Sequence, residues 1–583
     1  MPITRSAGLV IAALAAIVLL PNLGGPPLWD DDEPRNAACS LAMRSSGDWV
    51  VPTFNGRLRV EKPALINWLQ CAGFAVAGVN ETGARLASAL LTILTCLLTG
   101  LAAGRAFRTD VGFWAGVVMA TCLWTGIGGR AATPDAALVF CTTLALWLFV
   151  RGACRPAADG TGWRDGPVVI SRTTALGIGA ACGLGMLAKG PIGLVLPFAG
   201  LVLFCWWQAW LDPGRAGGVR SRLVSSCRSG LRSLRPLLIV TTAAAVAAPW
   251  YAAVTIRTDG EWLRGFLLVH NVGRFAAPME GHSGSALLYF PAVLLLGTFP
   301  WSMAAALIAG HAATRAGQAV GMRLALCWIA AWVLPLSLSG TKLPGYVWPA
   351  YPAIAMAAGH FVAEWIQRPT VTNDRWMRVA WLFLAVSGVG LAIGLPMVIG
   401  RIAPGTEWLG LVGLVPIAGA AAAWACQSLA SRIAAGAVWA TTACATVALL
   451  AAFGPGALGR AGGTRDLVAG LHRHDGEAVR VATLRAPASA AFYAGRVTAG
   501  GAVTELAAPA AAAAFVAEHP GAHLVVDARF EESLARALPS DYVVLGAASS
   551  FPSAKRVLLL GPPRGSPPPA RVAVDPLAAP SRH

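Results

Sequence analysis

Between Leu28 and Pro63 the chain reads LWDDDEPRNAACSLAMRSSGDWVVPTFNGRLRVEKP, its most polar stretch for a long way in either direction. The stretch opens on Asp30, Asp31, Asp32 and Glu33, with Arg35 close behind, and closes on Glu61-Lys62-Pro63. Further clusters follow. Arg130 and Asp135 lie in GGRAATPDAALVF, and Lys189 in MLAKGPIG. The segment HNVGRFAAPMEGHSG holds His270, Asn271, Arg274, Glu280 and His282, and SGTKLPGYVWPAYP holds Lys342 and Tyr346. Carboxylates in this number suit a general base or a partner for an electropositive sugar carbon. Lysine and arginine suit a phosphate or pyrophosphate. Glu61, His270 and His282 are the candidates for a divalent metal, but their spacing matches no closed metal site. No cofactor is required by these residues.

Each cluster also has an ordinary use. Asp32-Glu33-Pro34 is a helix start, with acids at the cap and first turn and proline early. Ala37, Ala38, Leu41 and Ala42 give that helix an apolar face, and Gly47 fits its C-terminal cap. The expectation is a capped surface helix, with Asp30 and Asp31 solvated. Residues 63–77 form a second interfacial helix. Asn80-Glu81-Thr82 spells a glycosylation sequon, but serves better as a helix cap. Asp135 could simply favour a helix dipole, Lys189 could snorkel to a membrane surface, and Tyr346 could sit at an interface.

The elements that must position these groups are membrane helices. Of 583 residues 56% are hydrophobic and 13% charged, against about 25% charged in soluble domains. A net charge of +17 raises the question of nucleic acid. The basic residues, however, sit in short gaps between apolar runs, as in loops facing anionic lipid. Runs long enough to cross a bilayer number about thirteen: 6–23, 84–104, 112–128, 133–151, 173–188, 190–208, 236–254, 285–309, 322–339, 346–365, 378–399, 407–426 and 432–453. The first run reads as a retained span, because Arg5 and a short apolar core are followed by no small-x-small cleavage site. The 22 tryptophans suit interfacial belts.

Arginine-rich loops, above all Arg215 to Arg235, alternate with loops holding the polar clusters. This bias places the N-terminus in the cytoplasm and residues 24–84 outside, as the first periplasmic loop. Residues 1–455 form the membrane domain. Residues 456–562 change character: an alanine-rich helix at 507–519 lies among strand-like runs at 479–484, 523–526, 542–545 and 557–560, a small α/β domain outside the membrane. Residues 563–583 form a disordered, proline-rich tail. The twelve cysteines show no CxxC pair; Cys39 and Cys71 share the first loop, so a disulfide there stays open.

Taken together, these residues resemble the polyprenyl-phosphate-dependent glycosyltransferases of the GT-C superfamily. They are similar to the aminoarabinose transferases that modify lipid A and to protein-mannosyltransferase-like members. The matching elements are Asp32-Glu33-x-Arg35, Ser46-Gly47-Asp48-Trp49, Phe54-Asn55-Gly56 and Glu61-Lys62-Pro63. Further along come Asp135, Lys189-Gly190-Pro191, Asn271 to Phe275 and Lys342-Leu343-Pro344-x-Tyr346. The resemblance covers residues 1 to about 455. It implies a sugar on undecaprenyl phosphate as donor, inverting transfer on the periplasmic face of a bacterial inner membrane, and lipid A, another envelope glycan or lipid, or protein as acceptor. It casts Asp32 as principal catalytic acid, with Glu33 and Arg35 supporting it and Asp135 as a second acid facing the same cavity. Lys62 and Arg274 would hold the phosphate, with Glu61, Lys189, Asn271, Lys342 and Tyr346 around it. The chain has His270-Asn271 where aminoarabinose transferases usually carry an acid–His pair, which removes support for a metal on Glu61 and His270.

A transporter or flippase for the same lipid is the competing reading. Transporters place binding groups near mid-membrane on broken helices, whereas these charges fall at the ends of spans on one side. An inactive scaffold would have no need of Asp32, Lys62, Asp135 and Arg274 together. No pattern in the sequence sets an oligomeric state.

Overall fold

The computed structural model describes residues 3–28, 32–155, 163–166, 168–211, 219–278, 284–459, 463–469, 471, 479–498, 501, 503–549 and 555–563. Asp30, Asp31, Glu280, His282 and the tail beyond residue 563 lie outside them. The chain forms two compact units. The first takes residues up to 27, 48–52 and 58–458; the second takes 28–47, 53–57 and the described residues from 459 on.

The first unit is helical. Among the described residues eight helices are long and apolar enough to cross a membrane, or up to nine if a bent pair counts as one span. They run from Glu81–Ala106 to Arg432–Gly459. The expected thirteen is therefore not reached on length and composition. The first run is a helix of only 15 residues, Arg5–Leu19, and the run at 346–365 is a 17-residue helix, Tyr351–Gln367. The run at 112–128 breaks at Cys122, which is extended between Thr109–Thr121 and Leu123–Gly128. The run at 285–309 is the bent pair, Tyr289–Gly297 and Trp301–Arg315, turning through 115°.

Those two breaks satisfy each other. The Leu123 N–H donates to the Phe299 carbonyl at 2.9 Å, and the Trp301 indole N–H donates to the Thr121 hydroxyl at 2.9 Å. Backbone freed from a helix inside a membrane must find such partners within the protein. The tryptophans also depart from expectation. Trp262, Trp301, Trp328, Trp332, Trp348, Trp365, Trp381 and Trp439 are fully buried side chains, not members of a surface belt. Several hand the indole N–H to a buried acceptor, as Trp328 does to the Pro349 carbonyl and Trp381 to Gln427. Buried tryptophans usually find such a partner, but the indole N–H groups of Trp332, Trp348 and Trp439 have none among the described residues.

Two buried arginines fix the end of the first helix. Arg130 donates to the carbonyls of Leu19 and Asn22 at 2.8 and 3.0 Å. Arg85 donates to those of Leu23, Pro26 and Pro27 at 2.8–3.0 Å. The Leu19 carbonyl is one that the helix leaves without an intrahelical partner; the other acceptors lie beyond the helix end, so the two arginines hold the chain that follows it. Arg130, close to Asp135 in sequence, thus caps the first helix. Asn80 caps the Glu81–Ala106 helix as expected, its side chain accepting from the Gly83 N–H at 2.9 Å.

The second unit is α/β. Its five-stranded sheet consists of β1 (Val481–Leu484), β2 (Thr504–Glu505), β3 (His523–Asp527), β4 (Val543–Ser549) and β5 (Arg556–Gly561), in the order β2-β1-β3-β5-β4. β1 pairs parallel with β2 and β3, and β5 pairs antiparallel with β3 and β4. The four expected strands are present. β2 was missed because two residues carry no periodicity. The alanine-rich helix runs Pro509–Glu518, with Ala512 and Val516 in a core with Leu484, Leu524, Val526 and Leu558. The unit also contains the helix Asp32–Ser46, from the opposite end of the sequence. Cys39 and Cys71 are buried and are not joined by a disulfide.

Candidate functional site

A cavity of about 380 Å³ opens in the first unit. Its polar lining is Glu61, Lys62, Lys189, His270, Asn271, Arg274, Ser339 and Tyr346. Its apolar lining includes Leu138, Ile192, Val195, Leu196, Phe275, Pro335 and Leu336. Cations and hydrocarbon therefore share one enclosure.

Each polar group is set by a local device. Lys189 ends the helix Arg172–Lys189, where a cation suits the dipole. The helix stops because Gly190 takes φ +82°, and a side chain there would meet Phe266 at 2.5 Å. The Lys189 ammonium pairs with the Asp135 carboxylate and lies 4.9 Å from the centre of the Tyr346 ring, a cation–π arrangement. Asp135 opens the helix Asp135–Ala153. A Cβ on Gly345 would lie 3.3 Å from the Asp135 carboxylate, so the Lys342–Tyr346 loop closes directly over the pair.

His270 and Asn271 ride on a π-helical segment, Gly265–Gly273, and Arg274 follows it. Such wide turns are uncommon and recur at functional sites. The Asn271 side chain donates to the Phe266 carbonyl at 2.7 Å, and Phe266 stacks on the buried Trp262 at 4.7 Å. After Arg274 the chain pairs with the loop before Lys342. The Gly340 N–H donates to the Phe275 carbonyl at 2.8 Å, and the Thr341 N–H to the Arg274 carbonyl at 3.1 Å. A side chain at Gly340 would strike the Ala277 backbone at 2.7 Å, so two loops distant in sequence pack backbone to backbone.

Glu61 is steered by Arg59, whose guanidinium lies 3.4 Å away with 2% of its side chain exposed. The Arg59 carbonyl in turn accepts from the Trp262 indole at 2.9 Å. Sequence reasoning missed Arg59. The alternation Arg57-x-Arg59-x-Glu61 was the available signal, and it was overlooked beside the Glu61-Lys62-Pro63 triplet.

The structure thus gathers Glu61, Lys62, Lys189, His270, Asn271, Arg274 and Tyr346 on one cavity, with Asp135 joined through Lys189. Lys342 is not on the lining: it is buried, and its ammonium donates to the Ser339 carbonyl at 2.5 Å. Asp32, Glu33 and Arg35 stand in the first turn of the Asp32–Ser46 helix in the second unit. There Asp32 is half-buried, Glu33 is buried, and the Arg35 guanidinium covers the Phe54 ring at 5.8 Å. Among the described residues no group of three or more His, Cys, Asp and Glu side chains is placed to hold a metal. Glu61 and His270 alone do not make such a site.

Residues 28–262 match the dolichyl-phosphate-mannose-protein mannosyltransferase family. An undecaprenyl phosphate-alpha-4-amino-4-deoxy-L-arabinose arabinosyl transferase from Sodalis glossinidius is 29% identical over 75% of this chain and 74% of its own length. A transferase of the same name from Pseudomonas fluorescens is 31% identical over 66% of this chain, and the match spans 60% of that relative. The crystal structure of ArnT from Cupriavidus metallidurans bound to undecaprenyl phosphate superposes with a TM-score of 0.73 at 22% identity, covering 95% of this chain and 97% of that one. The order of motifs, the family match over residues 28–262 and the shared fold agree: the chain is a membrane protein similar to the polyprenyl-phosphate-dependent glycosyltransferases of the GT-C superfamily and, among them, to the aminoarabinose transferases.

Proposed function

We propose that this protein moves a sugar from undecaprenyl phosphate to an acceptor in the bacterial envelope, lipid A being the favoured candidate. The observation that carries the reading is the cavity, where Lys62, Lys189 and Arg274 share one enclosure with Leu138, Val195, Leu196 and Leu336. A phosphate on a hydrocarbon chain needs both. Lys62 and Arg274 bind the donor phosphate, and Lys189, backed by the Tyr346 ring, adds a third cation. Asn271 and Glu61 orient the headgroup.

In the reaction an acceptor oxygen attacks the anomeric carbon from the face opposite the phosphate. The carbon–oxygen bond to the phosphate breaks, and polyprenyl phosphate leaves with the bonding pair. The leaving group is stable, so the protein's contribution is positioning and charge neutralisation. Asp32 takes the proton of a hydroxyl acceptor or stabilises charge at the sugar, with Glu33 and Arg35 supporting it. Asp135 holds Lys189 until phosphate competes for that cation. The chain lies in the inner membrane with its N-terminus cytoplasmic, and the cavity and the C-terminal domain periplasmic.

The test is reconstitution of the purified full chain with undecaprenyl-phosphate-linked sugars and lipid A, followed by mass spectrometry of the lipids. Envelope lipids and glycoproteins are compared with and without the gene. Transfer of a sugar from the polyprenyl donor supports the reading. Movement of intact donor across vesicles with no transfer to any envelope component would replace it with a flippase.

A further inference from the structure

The second unit joins a helix from the start of the chain to one from its end. Before the Asp32–Ser46 helix begins, the backbone N–H of Leu28 donates to the hydroxyl of Tyr493 at 2.8 Å. Leu28 is 2% exposed and Tyr493 4%, so water cannot replace that bond. Tyr493 belongs to the helix Ala488–Gly495. At its other end the Asp32–Ser46 helix meets two glycines. A Cβ on Gly495 would lie 3.2 Å from the Leu41 side chain. One on Gly501 would lie 2.8 Å from the Ser45 hydroxyl and 3.0 Å from Leu41. The chain is thus held at Leu28 by a hydrogen bond and, along the helix, by close packing at Leu41 and Ser45, and Asp32 falls between these two points in the sequence. The face in contact is the one holding Ala37 and Leu41, both buried.

We propose that the C-terminal domain is a positioning element for the Asp32 helix. Tyr493 fixes the chain where it enters that helix, Gly495 and Gly501 seat its last turns, and Asp32 is thereby held in one orientation. The proposal rests on the assignment of Asp32 as the principal acid. It gives the C-terminal domain a task in the transfer step that needs no catalytic group of its own. A buried donor whose partner is removed loses stability through desolvation, so the small change Tyr493→Phe is the sharpest probe.

Purified full-length Tyr493→Phe and Gly495→Ala variants are compared with the native chain by hydrogen exchange of residues 32–46 and by steady-state transfer kinetics. Exchange should quicken about tenfold, the effect of one orphaned buried donor. kcat should fall by a similar factor, with KM for the lipid donor unchanged, because none of these residues lines the donor cavity. Unchanged exchange in both variants overturns the proposal, as does quickened exchange with native kcat in a background where Asp32→Asn is inactive. The assignment beneath it fails separately: Asp32→Asn would then turn over normally while residues 32–46 stay protected.

Discussion

The stretch between residues 24 and 84 carries two short amphipathic helices that look alike in sequence and are held in different ways. Asp32–Ser46 belongs to the second unit, seated on Gly495 and Gly501 through Leu41 and Ser45. Leu65–Ala77 belongs to the first unit and lies against Glu81–Ala106 so closely that a Cβ on Gly73 would stand 2.1 Å from the Gly83 carbonyl. Gln70 is buried there and donates to the Ala84 and Ala132 carbonyls at 3.3 and 3.4 Å. Val76, on another face, is 79% exposed. The first helix carries the proposed acid in its first turn; the second is preceded by the proposed phosphate ligand Lys62. If the proposed roles hold, one loop contributes the acid from one unit and the phosphate ligand from the other, and substitutions in the two helices should fail differently.

The largest effect is expected on the domain-borne side. Asp32→Asn should lower kcat by about 10²–10⁴-fold, the range for a positioned acid–base group, while donor affinity is retained. Turnover at the native rate would remove Asp32 from the mechanism. On the membrane side, Lys62→Ala and Arg274→Ala should each weaken donor binding roughly 10- to 100-fold, the worth of a hydrogen bond to a charged group. Titration with undecaprenyl phosphate reads this directly. Native affinity in both variants would sink the phosphate clamp and with it the contrast between the two helices.

Local rules in the sequence foretold both helices well. Asp32-Glu33-Pro34 set the start of the first helix, and Gly47, at φ +72°, receives its end. Asn80 capped the next helix as its type requires. What those rules could not tell was the partner. An amphipathic face of Ala37 and Leu41 fits a lipid surface or a protein surface equally, and only tertiary structure brings Tyr493 to Leu28. The same limit explains the cavity. Lys62, Lys189 and Arg274 stood out as cations in apolar surroundings, but Lys342 stood out in the same way and turns instead into the Ser339 carbonyl. Cys122 and the bend near Phe299 escaped notice because hydropathy is continuous across both. The π-helical turn under His270 and Asn271 leaves no mark that composition can show.

A smaller effect tests how firmly the membrane bundle grips its side. Replacing Gly73 with leucine would force the Leu65–Ala77 helix off Gly83, and overpacking of this kind costs about 1–3 kcal/mol. A lower thermal midpoint in detergent is expected, with impaired donor binding if Lys62 shifts as well. An unchanged midpoint would mean the two helices separate freely.

The smallest effect lies in the turn between the two helices, at Asp48, which the first unit holds. Its carboxylate accepts from the Val50 and Val51 N–H groups at 3.0 and 3.1 Å and from Arg257 at 2.7 and 2.9 Å. Burial alone would raise this carboxyl. The two backbone donors and the guanidinium outweigh it and hold the group below the usual carboxylate range. A carboxyl depressed in the folded state stabilises fully above the unfolded value of about 3.9 and loses that contribution as pH falls through the lower folded value. Its share of the thermal midpoint should therefore be flat from pH 5 to pH 8 and decline only below about pH 4. Arg257 is half exposed, so the pair itself is worth only about 0.2–1 kcal/mol. A double-mutant cycle of Asp48→Asn and Arg257→Gln at low salt should return a coupling of that size, shrinking in high salt as exposed pairs do. A larger, salt-insensitive coupling would show that this turn is fixed as rigidly as the grips on the Asp32 helix, and the contrast between the two helices would then weaken.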